Sequence, residues 1–152
     1  MELAEVDRVA PPADLLRADL NEALALLAAV EAVAYPLVPV LVIDDDVRLS
    51  ELTARGLRRF GYQADARTSP RRLRPDEVVV LDLGVVGSLS APELAELKAS
   101  RPIVVTGAAD PASRALAADL DASEYLLKPV EMDDLTAAIS RRIASRDQSA
   151  AK

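Results

Sequence analysis

Short apolar runs that each close on a polar side chain, with helical segments between them, constrain the fold of this chain more than any other feature. Val40-Leu41-Val42-Ile43 ends at Asp44 and Asp45, and Val78-Val79-Val80-Leu81 ends at Asp82. Ile103-Val104-Val105 ends at Thr106, and Tyr125-Leu126-Leu127 ends at Lys128. A β-run that ends in a functional side chain, repeated with helices between, describes a parallel sheet whose strand ends converge. In open α/β sheets the ligand crevice lies at that carboxyl edge. Three carboxylates, a hydroxyl and an ammonium gathered there suit a divalent cation and a phosphoryl group.

The remainder of the chain fits this reading. Its 152 residues match one domain with an appendage. Hydrophobic residues make up 51% and aromatic ones only 3%, so the core rests on Leu, Val, Ile and Ala. A formal charge of −7 argues against nucleic-acid binding, which needs clustered cations. Arg71, Arg72 and Arg74 are the local exception and read as a solvated loop. There is no Cys and no His, which excludes disulfides, thiol chemistry, a His-based zinc site, a Ser-His triad and a histidine phosphodonor role. No signal-peptide pattern is present, and the apolar stretch Ala23 to Val30 is cut by Glu31, too short for a membrane span. The expectation is a soluble cytoplasmic protein without a membrane partner.

Three regions follow: an N-terminal extension over 1–38, a main domain over 39–146, and a tail over 147–152. In the extension, Asp14 is a plausible N-cap for a helix running to about Tyr35, before Pro36 and Pro39. Leu16, Leu20, Ala23, Leu27, Val30 and Ala34 form a coiled-coil-like stripe on a rod of about 33 Å, at 1.5 Å per residue. This face either packs on the domain or serves an interaction, as a homodimerisation helix or as a mimic of a partner helix, and the interaction role is favoured. Beyond it the spacing predicts strands at 40–43, 62–67, 77–81, 102–105 and 124–127. Helices are predicted over 47–60, 91–99, 111–120 and 131–145, with Gly61 just past the first of these. Between the second and third strands, Ser69-Pro70 and Pro75 leave room for barely one helical turn. The fold class is therefore α/β, a doubly wound five-stranded parallel sheet with a shortened second helix and an extra N-terminal helix.

Asp44, Asp45 and Asp82 repel one another unless a cation intervenes. Mg²⁺ takes oxygen ligands and commonly keeps water and phosphate oxygens in its shell. Thr106 adds a donor and Lys128 a positive charge, which completes the parts for an aspartyl phosphate.

Over Pro39 to Ser145 the chain resembles the CheY-like receiver domains of two-component response regulators. The matching stretches are Val40 to Asp46, Val78 to Leu83, Ile103 to Ala108 and Tyr125 to Pro129. The resemblance implies a flavodoxin-like fold with Asp82 as phosphoacceptor and Asp44 and Asp45 as the acidic pair for Mg²⁺. The Gly84 carbonyl would join the metal shell, and Thr106 and Lys128 would contact the phosphoryl group. A cis Lys128–Pro129 bond and a Thr106–Tyr125 conformational switch also follow from it. The implied partners are a sensor histidine kinase or phosphotransfer protein and a downstream protein target. Val86 stands where the family usually has Pro, and Asp121 where it has Gly. Because only Arg146 to Lys152 follow the last helix, transcriptional control is expected to be indirect.

Two other functions compete. A haloacid-dehalogenase-like phosphatase would use Asp44 as nucleophile and Asp46 as general acid, but Arg48 departs from that motif and Asp82 would be unexplained. A pseudo-receiver would bind partners without phosphorylation, against which the intact acidic cluster argues. Asp46 itself is assigned to helix capping.

Overall fold

The computed structural model describes residues 19–26 and 38–150. The chain divides into two compact units, Met1–Leu37 and Val38–Lys152. In the first, residues 19–26 are helical (α1). The expected N-cap Asp14 and the stripe residues Leu16, Leu27, Val30 and Ala34 lie outside the described residues.

In the second unit five strands form one parallel sheet: β1 Pro39–Ile43, β2 Gln63–Arg67, β3 Val78–Asp82, β4 Ile103–Thr106 and β5 Glu124–Leu127. Their order is β2-β1-β3-β4-β5. The helices are α2 Val47–Arg59, α3 Ala91–Ser100, α4 Pro111–Asp119 and α5 Met132–Ala150, with a 3₁₀ helix over Leu83–Ser88. The last helix continues past Ser145, where the sequence reading ended it, to Ala150. No helix joins β2 to β3, so the shortening expected there is complete among the described residues.

Helix starts follow local chemistry. Asp46 accepts from the amides of Arg48 and Leu49 at 2.9 and 3.2 Å, which satisfies two donors that α2 cannot pair internally. Ser90 and Glu93 form a reciprocal capping box on α3. Asp110 caps α4, with Pro111 as its first residue. Gly61, just past α2, takes φ +92°, a region that other residues enter only with strain.

The central strands are buried on both faces, which is why they read as unbroken apolar runs. Val40, Val42, Val78, Val80, Ile103 and Val105 face α2 and α5, meeting Ala54, Leu57, Leu135 and Ile139. Leu41, Ile43, Val79, Leu81 and Val104 face the other way, against Leu97 of α3, Ala117 of α4 and the 3₁₀ helix. One-residue alternation thus sends neighbouring side chains into two cores.

The segment 68–77 replaces the absent helix and corrects one expectation. Arg71 is no solvated loop cation, because its guanidinium grips both oxygens of Glu77, at 2.9 and 2.8 Å, and reaches Asp65 of β2 at 3.3 Å. The Glu77 side chain is 1% exposed and that of Arg71 17%. Glu77 also accepts from the Arg74 amide. Leu73 packs on the second core, and its amide is held by Glu96 of α3. Without helical hydrogen bonds, this strap is pinned by side chains instead.

Candidate functional site

The strand order changes direction between β1 and β3, and a ligand crevice opens at such a point beyond the carboxyl ends. Asp44 and Asp45 leave β1 there, and Asp82 ends β3 beside them. One carboxylate oxygen from each of these three residues lies within 4.8 Å of the others. The pairing of Ile43 with Leu81 explains the meeting, since equal register brings the next residues side by side.

Each acid has a distinct setting. Asp44 is buried; its Oδ1 accepts from the Asp46 amide at 2.9 Å and its Oδ2 from Lys128 Nζ at 2.8 Å. Asp82 accepts from Lys128 Nζ at 3.1 Å on Oδ1 and from the Gly84 amide at 3.2 Å on Oδ2. Asp45 is exposed and makes no hydrogen bond among the described residues. Burial pushes the Asp82 carboxyl above its ordinary pKa; Lys128 opposes that shift, while Asp44 and Asp45 reinforce it. Burial also works to lower the Lys128 pKa, but bonds to Asp44 and Asp82 outweigh it and leave the ammonium above its ordinary value. One lysine therefore offsets part of the charge of three acids.

The other residues surround this group. Thr106 is buried at the end of β4, where its Oγ1 accepts from the Ala108 amide at 3.2 Å. Lys128 follows β5, its amide donating to the Thr106 carbonyl at 2.9 Å, and precedes a cis bond to Pro129. A Cβ added at Gly84 would come 2.8 Å from Asp82 Oδ2 and 3.5 Å from Asp45 Oδ2. That residue is bare where the acids need space. Tyr125 donates from its hydroxyl to the Ala108 carbonyl, and Arg114 of α4 stands 5.0 Å from the ring centroid. Sequence reasoning missed Arg114; its one signal was a basic residue on the helix preceding β5, too common to single out. The Asp46 carboxylate is engaged as the N-cap of α2.

The donor set suits a hard cation: three carboxylates with too little positive charge, converging where glycine leaves room. A sheet of this order with such a pocket at its switch point defines a flavodoxin-like α/β domain built around an acidic crevice. The chain belongs to the receiver-domain family of response regulators. It is 32% identical over 123 residues to the DNA-binding response regulator MtrA of Mycobacterium tuberculosis, across 74% of this chain and 54% of that protein. A receiver domain of Clostridium thermocellum superposes with a TM-score of 0.61 at 26% identity, covering 74% of this chain and 98% of that one. A response regulator of Burkholderia pseudomallei, solved with a phosphorylated aspartic acid, a calcium ion and citrate, gives 0.55 at 26% identity, covering 74% and 72%. No protein-family model matches the chain. The chain spans about half the length of the curated relatives it matches. Among the described residues no helix is long and apolar enough to cross a membrane.

Proposed function

We propose that the domain accepts a phosphoryl group on Asp82 from a histidine kinase or phosphotransfer protein and passes the signal to a protein partner. One observation carries this reading: Lys128 bridges Asp44 and Asp82, and these lie within ligand distance of Asp45. Asp44, Asp45, Asp82 and the Gly84 carbonyl would hold Mg²⁺, which when bound neutralises charge on the phosphoryl oxygens. An Asp82 oxygen attacks phosphorus as the bond to the donor nitrogen breaks. Lys128 keeps its positive charge beside the transferred oxygens, and the Thr106 hydroxyl turns to donate to one of them. A protein donor is supported by Val47, Leu49 and Leu52, apolar yet exposed at the start of α2 beside the pocket.

The new group adds about 1.5 to 2 negative charges and three acceptor oxygens. As Thr106 moves toward them, its bond to the Ala108 amide is given up. Ala108 is also the residue that Tyr125 holds by its carbonyl, so one short loop links pocket and switch. A target preferring one arrangement of this loop and of α4 then reads the state. MtrA is a DNA-binding response regulator, which stands against excluding nucleic acid for the whole protein. That exclusion is confined here to the acidic receiver domain. Homodimerisation through the N-terminal helix and a cytoplasmic location complete the proposal.

Incubation with Mg²⁺ and acetyl phosphate, read by intact mass, tests it. The expected result is a single phosphoryl adduct, absent in Asp82→Asn. Turnover lost in Asp44→Asn would point to the phosphatase instead, although Asp46 is engaged as a cap. Neither adduct nor turnover would leave the pseudo-receiver.

A further inference from the structure

Arg142 of α5 is only 9% exposed. Arginines buried to this degree are ordinarily paired with a carboxylate. Here no described carboxylate lies within salt-bridge distance, and the one hydrogen bond to described residues runs from Nη2 to the Ser100 carbonyl, 3.0 Å away at the end of α3. Every fully buried side-chain nitrogen among the described residues has a partner. The nitrogens that Arg142 leaves unbonded are therefore not fully buried, and Arg142 lines a cavity.

That cavity measures about 310 Å³ and has Arg74, Arg142 and Arg146 in its wall. It lies where the chain enters β3 and β4, at the sheet edge opposite the acidic pocket. Burial, then Arg146 and Arg101, hold the Arg142 pKa below its ordinary value, so like charges crowd a cation that has no counter-charge. The acids present are largely occupied. Glu77 is spent on Arg71 and on the Arg74 amide, Glu96 holds the Leu73 amide, and Asp76 remains. The wall holds Arg74, Arg142 and Arg146 against Asp76, Glu77 and Glu96. With Glu77 neutralised by Arg71 from outside it, the wall keeps an excess of one positive charge, and Arg101 lies close enough to act on Arg142.

We propose that this cavity binds a phosphate group, as the free anion or as a small monoester, through Arg142 and Arg146. The guanidinium fork matches phosphate geometry, and a monoester brings about 1.5 to 2 negative charges to an arginine that has no carboxylate partner among the described residues. A volume near the lower end of small-molecule pockets leaves space for an organic group behind the phosphate. The arginine-bearing cavity thus lies apart from the cluster of Asp44, Asp45 and Asp82.

The test uses the full chain in magnesium-free buffer at constant ionic strength. Inorganic phosphate and, separately, phenyl phosphate are titrated while NMR follows the Ser100 and Arg101 amides and the Arg142 Nε–H. Because Arg142 also holds the end of α3, the variant is Arg146→Gln. The expected result is saturating shifts, weakened about tenfold in Arg146→Gln and retained in Asp82→Asn. Saturation by phosphate alone selects the free anion, and tighter saturation by phenyl phosphate selects the ester. Shifts that match a chloride control, persist unchanged in Arg146→Gln, or vanish in Asp82→Asn would overturn the proposal.

Discussion

Lys128 is the residue through which the acidic pocket is held together before any cation arrives. Its ammonium spans Asp44 and Asp82, and burial strengthens those contacts by thinning the solvent between charges. Gly84 contributes by what it lacks. A methyl group there would press on Asp82 Oδ2 at 2.8 Å, and the nearest atoms are the acids rather than the hydrophobic core. Gly84→Ala is therefore expected to fold normally but to bind Mg²⁺ about tenfold more weakly, in line with other changes beside metal ligands. A Mg²⁺ titration followed by NMR checks this, and an unchanged affinity would show that the acids tolerate displacement.

At the scale of elements, the strap between β2 and β3 shows how a receiver dispenses with a helix. A helix would satisfy its backbone internally; this segment uses Glu77 and Glu96 as acceptors for its amides and Arg71 as a clamp onto β2. Removing one partner of a buried pair leaves the other charge uncompensated, a cost of about 3 kcal/mol or more. Arg71→Met should destabilise the domain by about that amount in urea unfolding, and Arg71→Met with Glu77→Leu should recover much of it. A loss below about 0.5 kcal/mol, typical of surface changes, would mean the pair is solvated after all. The sequence reading went wrong here because Arg71 and Glu77 lie in irregular chain, where no period indicates which residues meet. The helices were readable for the opposite reason. Asp46, Ser90 and Asp110 are caps whose effect is local, and Gly61 ends α2 by a backbone preference that needs no distant contact.

For the whole molecule, folding concentrates like charges that the unfolded chain keeps apart. Asp44, Asp45 and Asp82 come from two strands separated by an intervening helix and strand, and their closeness opposes folding until a cation enters. A ligand that binds only the folded state stabilises it by mass action, by about 2.7 kcal/mol at a hundred times its Kd. Saturating Mg²⁺ should accordingly raise the melting temperature, chelation should reverse the rise, and Asp45→Asn should reduce it. No change in thermal unfolding would mean that the three acids do not share an ion in the folded state.

Much of this architecture was written in one dimension. Period and punctuation locate the central strands and the helices of the receiver unit because burial on both faces demands unbroken apolar runs and because caps act on their neighbours. The order of Asp44, Asp82, Thr106 and Lys128 along those runs placed them at one edge, since parallel strands end on the same side. What the linear order could not supply was anything set by contact at long range: the Arg71–Glu77 clamp, Arg114 over Tyr125, and a buried Arg142 beside like charges. Those depend on which surfaces pack together, and only the folded chain decides where a charge loses its water and what remains to replace it.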